Sequence, residues 1–60
     1  MEVTIYKPDF IEKYGELTHS IVLKYVKQEY PVDESITERD IKIYHENDYA
    51  RVIIKKGQGP

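Results

Sequence analysis

The chain has 60 residues, 33% of them charged and 40% apolar, with a net charge of −2 and no cysteine. That length allows one small domain, burying about 60% of the surface its unfolded chain exposes, and the composition argues against a disordered tail, a disulfide scaffold and a dedicated basic surface for nucleic acid. A fold this small without disulfides gains margin from a metal or from association; His19 and His45 have no companion cysteine or arranged carboxylate pair, so no metal or cofactor is expected and association remains.

In chain order the first element is Glu2–Tyr6, where Val3 and Ile5 alternate with Thr4 and Tyr6 in the period-two pattern of a half-buried strand. Lys7-Pro8 ends it. Proline suits the first turn of a helix and Asp9 favours the positive end of the helix dipole, so a helix is predicted from about Pro8. Phe10, Tyr14, Leu17, Ile21 and Tyr25 recur at helical spacing and form a single stripe facing the core. Gly15 costs about 1 kcal/mol relative to alanine within that stripe, and leaves open whether the helix runs through or breaks there. Pro31 stops the helix by Tyr30. An acidic connection follows over Pro31–Arg39, with room for a short helical turn beginning at Ser35 or Thr37.

Ile41–Glu46 and Tyr49–Lys56 read as a β-hairpin around Asn47-Asp48, two residues that tolerate the positive φ of a tight turn. A two-residue turn sets Glu46 opposite Tyr49, His45 opposite Ala50, Tyr44 opposite Arg51, Ile43 opposite Val52 and Lys42 opposite Ile53. Ile41, Ile43, His45, Ala50, Val52 and Ile54 then share an apolar face, on which His45 is expected to be partly buried. Lys42, Tyr44, Glu46, Tyr49, Arg51 and Ile53 share the other. Lys55-Lys56 is a solvated strand end that discourages edge pairing.

The fold class expected is α+β: a single β-α-β-β domain over residues 1–56, one helix packed on a three-stranded sheet, and a flexible tail at 57–60. A right-handed crossover is expected to place the first strand parallel to a central last strand, leaving Ile41–Glu46 at an edge.

One helix covers one sheet face, so the other should be polar. Instead it carries Tyr44, Tyr49 and Ile53, joined by Tyr6 from the first strand and edged by Lys42, Glu46 and Arg51. Tyrosine and arginine are enriched where binding energy concentrates, which makes Tyr6, Tyr44, Tyr49, Arg51 and Ile53 the candidate protein-binding residues. The plainer reading is a cross-strand cation–π pair between Tyr44 and Arg51 on residues that simply favour strands. A second surplus lies on the helix flank, where Val22, Leu23, Val26 and Tyr30 fall off the core stripe and form a candidate homodimer interface.

The candidates for chemistry are weak. Glu12 and Glu16 are spaced as neighbours on a helix, Ser20 and Ser35 have no visible base, and the 57–60 stretch is a tail rather than a phosphate loop; no catalytic residue is assigned and no enzyme is expected. No signal-peptide pattern is visible and no apolar run approaches the roughly 20 residues that span a bilayer, so a cytoplasmic protein with no membrane contact is expected. The leading expectation is a small acidic, non-enzymatic adaptor or inhibitor that acts as a homodimer and docks on a larger protein partner, a format that suits phage or mobile-element accessory proteins. The alternative is a small nucleic-acid-binding or transcriptional regulatory protein that sets Arg51, Lys55 and Lys56 of the hairpin on phosphates, against which the net charge counts.

Overall fold

The structure, a computed structural model, describes residues 1–55; Lys56 and the tail expected at 57–60 lie outside the described residues. Its elements are β1 (Glu2–Tyr6), α1 (Lys7–Tyr14), α2 (His19–Glu29), a 3-10 helix (Glu38–Asp40), β2 (Ile41–Glu46) and β3 (Tyr49–Ile54). The fold is a small α+β arrangement of a three-stranded antiparallel sheet with two α-helices, which corrects the single helix of the β-α-β-β expectation.

Gly15 makes the break. It adopts φ 92° and ψ −43°, a backbone conformation costly to any residue with a Cβ, and its N–H closes α1 onto the Ile11 carbonyl at 2.8 Å. The chain turns helical again after Thr18, whose Oγ1 accepts from the Ile21 N–H at 3.2 Å as an N-cap. Because residues 15–18 are not helical, a 100° step carried from Phe10 through to Tyr25 loses its phase.

The correction to the core follows directly. On α2 the residues facing the sheet are Val22 and Val26, one turn apart and both 0% exposed, whereas Tyr14, Leu17, Ile21 and Tyr25 of the expected stripe are half-buried at its margin. The proposed dimer flank is therefore not a free surface: Val22 and Val26 are core, and Leu23 and Tyr30 pack against it. Phe10 is the one stripe residue that is fully buried.

In the sheet β3 is central and lies antiparallel to both β1 and β2. The central place of β3 and the edge place of β2 match the expectation, but the parallel β1–β3 pair does not. The crossover joins β1 to β2, which run parallel on either side of β3, and the hairpin reversal then makes β3 antiparallel to each. Within the hairpin every predicted pair is observed, from Lys42 opposite Ile53 to Glu46 opposite Tyr49. Asn47 takes the positive φ, 51°, at the turn, and the Asp48 carbonyl accepts from the Lys7 N–H at 2.7 Å, tying the start of α1 to the hairpin end.

Val3 and Ile5 of β1, Ala50, Val52 and Ile54 of β3 and Ile41 of β2 form the inner face. His45 shares its register side but is exposed, unlike Ala50 opposite it, which is fully buried. The acidic connection supplies one core residue that charge patterning hides: Ile36 is 2% exposed. It is held there by its N–H to the Asp33 carbonyl (3.2 Å), by Ser35 Oγ on Asp33 Oδ1 (2.7 Å) and by Lys27 Nζ on the Glu34 carbonyl (2.9 Å). Thr37, where the sequence allowed a turn, is the N-cap of the 3-10 helix, and its N–H donates to the Asp40 carboxylate at 2.8 Å.

Val26→Ala should lower stability by about 2 kcal/mol through lost burial and a residual cavity, and Gly15→Ala by about 1–3 kcal/mol through backbone strain, both read as shifts in the urea midpoint. Nothing lies within 4 Å of a Cβ built at Gly15, so a cost there measures φ and not crowding.

Candidate docking face on the open side of the sheet

The register sorts the strands onto two sides. The side away from the helices presents Glu2, Thr4 and Tyr6 from β1, Ile53, Arg51 and Tyr49 from β3, and Lys42, Tyr44 and Glu46 from β2. Across the strands these align in three rows: Glu2, Ile53 and Lys42; Thr4, Arg51 and Tyr44; Tyr6, Tyr49 and Glu46. All five residues singled out from the sequence as protein-binding therefore share one face. Tyr6, Tyr44 and Tyr49 are 44%, 45% and 49% exposed, and Ile53 is half-buried among its neighbours.

Arg51 stands at the centre of this grid and organises it. Its Nε lies 2.9 Å from Glu46 Oε2, an ion pair whose N–H points off the line of a hydrogen bond, and its Nη1 lies 3.5 Å from Glu2 Oε2. The guanidinium carbon is 5.7 Å from the Tyr44 ring centroid, a cation–π distance. Exposed ion pairs contribute little stability, about 0–1 kcal/mol each. Their larger effect is on the field: two carboxylates flank the one central cation, so the face presents planar guanidinium and ring surfaces rather than a positive potential. At the turn end Tyr6 and Tyr49 meet with centroids 5.2 Å apart. Glu2 is the participant that sequence reasoning missed; strand alternation put it beside Thr4 and Tyr6, but its approach to Arg51 needed the pairing register.

A second aromatic group ties the two helices together. Phe10 lies 4.6 Å from Tyr14 and 5.3 Å from Tyr25, and Tyr25 lies 6.0 Å from Tyr30, in tilted and edge-on arrangements. Beside it Thr4, Tyr6, Asp9 and Lys13 rim an open depression of about 200 Å³, and a broader one of about 570 Å³ lies between Leu23, Lys27, Ile36 and Arg39. Burial pushes the Tyr25 phenol up to about 12, with further contributions from Tyr30 and from the Glu29 and Tyr14 charges.

The remaining candidates are dispersed. Glu16 falls beyond Gly15 and outside α1, so it shares no helical turn with Glu12. His19 and His45 are exposed on separate elements, Ser20 is exposed on α2, and Ser35 is engaged by Asp33. Among the described residues no group of three or more His, Cys, Asp or Glu is placed to hold a metal, and no helix is long and apolar enough to cross a membrane. Comparison with protein family models, with characterised proteins and with solved structures finds no match.

The Tyr25 shift has a definite sign. Unfolded, the phenol deprotonates near 10; folded, it holds its proton to about 12, so stability falls as pH rises from about 10 towards about 12. Absorbance titration of the folded protein should show one late-titrating tyrosine that Tyr25→Phe removes, together with part of the alkaline stability loss.

Proposed function

We propose that the chain is a small acidic, non-enzymatic adaptor or inhibitor module, working in the reducing environment of the cytoplasm as a homodimer. It docks on a larger protein through the face centred on Arg51. One observation carries the reading: a sheet side over which the described residues set no helix holds Tyr6, Tyr44 and Tyr49 about half exposed, together with Ile53, around an arginine already neutralised by Glu46 and Glu2. Aromatic rings around a guanidinium are the composition of interface hot spots, and they offer contact area at low entropy cost. The paired state of Arg51 favours a protein partner over nucleic acid, since phosphate contacts draw on free cations and a positive field.

Ile53→Glu and Tyr49→Glu should leave the far-UV spectrum and the urea midpoint close to wild type, because neither side chain belongs to the core. Both should lose a protein that the wild-type chain retains in affinity capture, with little dependence on salt. Retention of the same protein by both variants, or retention of DNA that weakens steeply with salt, would set this reading aside.

A further inference from the structure

We propose that the free edge of β2 pairs with the β2 edge of a second copy of the chain, antiparallel and in register about Tyr44, so that two sheets continue as one. This rests on the homodimer part of the proposed function and names the contact that makes it.

The two edge strands of the sheet are finished differently. The inner-face residues of β1, Val3 and Ile5, are each 4% exposed even though β1 is an edge, because α1 follows Tyr6 without a loop and packs alongside. On β2 the same face decays along the strand: Ile41 is buried, Ile43 half-buried and His45 exposed. Among the described residues the cover over β2 thins towards its turn end, and a neighbouring strand is one way to supply it at a sheet edge.

The backbone of that edge is set to receive one. The Lys55 N–H donates to the Asp40 carbonyl at 2.9 Å, marking Asp40 and Lys55 as a hydrogen-bonded pair. In an antiparallel ladder such pairs alternate, so Lys42, Tyr44 and Glu46 turn their N–H and C=O groups to β3 while Ile41, Ile43 and His45 turn theirs outward.

A closed pair of identical strands must be antiparallel about a two-fold axis. Centred on Tyr44, it sets Ile43 of each copy against His45 of the other as hydrogen-bonded pairs, each covering the other's uncovered inner face. Lys42 then faces Glu46 of the second copy, twice, and Tyr44 faces Tyr44. These are non-hydrogen-bonded positions, where side chains lie closest and opposite charges gain most. Lys42 makes no ion pair among the described residues. Moving the axis to Ile43 would instead set Asp40 against Glu46 at both ends, a like-charge opposition. Tyr6, Tyr49, Arg51 and Ile53 remain open in the joined sheet, so the dimer displays the docking face in two copies on one surface.

The test is sedimentation equilibrium across a hundredfold dilution on chemically synthesised chains. The wild type should be a dimer that dissociates on dilution. A backbone N-methyl group on Ile43, which removes an outward donor and no ladder bond within the copy, should give a monomer with an unchanged circular dichroism spectrum. Lys42→Glu and Glu46→Lys should each weaken self-association about tenfold or more, and a mixture of the two should recover a dimer containing one of each. Ile53→Glu should remain dimeric. A wild type that is monomeric throughout overturns both this proposal and the homodimer reading. A dimer that survives N-methylation of Ile43 and is lost in Ile53→Glu overturns the edge contact alone, leaving the open face as the dimer surface. Unfolding of the N-methylated chain also overturns it, by showing that the Ile43 N–H is bonded within the monomer.

Discussion

Val22 and Val26, one turn apart on an eleven-residue helix, enter the same core cluster as Val3, Ile5, Ala50 and Val52, and the rest of the molecule is arranged around that contact. Each buried valine side chain contributes about 1.5–3 kcal/mol, a large share of the few kcal/mol that a core of this size supplies. Neither helix is long enough to persist alone in water, where about 12–15 residues are needed even for favourable sequences. The helices exist because the sheet's inner face needs cover, and they hold their mutual position through Phe10, Tyr14 and Tyr25.

Covering one face fixes what the other is left to do. With the helical material of the described residues committed to Val3, Ile5, Val52 and Ile54, nothing shields the row of Thr4, Arg51 and Tyr44 or the Tyr6–Tyr49 pair. A polar surface would be the cheapest finish for such a side, and the charged residues present are partly used to neutralise one another around Arg51. Rings and a neutralised guanidinium remain, a surface suited to a dry contact. His45, at the turn end of β2, is exposed as well.

The hairpin was legible in the sequence residue by residue, because period-two alternation and a two-residue Asn47-Asp48 turn leave one register that keeps Ile41, Val52 and Ile54 together. That the candidate residues Tyr6, Tyr44, Tyr49, Arg51 and Ile53 share one side followed from the same logic, since side is a matter of parity. The helical half was legible in its limits, Pro8 at the start and Pro31 at the end, but not in its phase. Gly15 was visible as a weak point, yet a continuous stripe through Phe10, Tyr14, Leu17, Ile21 and Tyr25 looked more regular than the truth. On that continuous stripe Val22 and Val26, which build the core, fall on the outer flank. Ile36 was hidden for a different reason: a lone apolar residue in an acidic connection has no periodicity, and only the turn set by Asp33 and Ser35 carries it inward. The strand pair joined by the crossover, and so parallel, is β1 and β2 rather than β1 and β3, which no local pattern in the sequence distinguishes.

The division of the sheet into a face that holds the fold and an edge and face left for contact is tested most directly by native-state amide hydrogen exchange on dilute, monomeric protein. The account predicts that the amides of Val26, Ala50 and Val52 exchange only through global unfolding. Those of Ile43 and His45, which point away from β3, should exchange orders of magnitude faster. Slow exchange at Ile43 and His45 in the monomer, or exchange of Ala50 and Val52 by local opening, would contradict it.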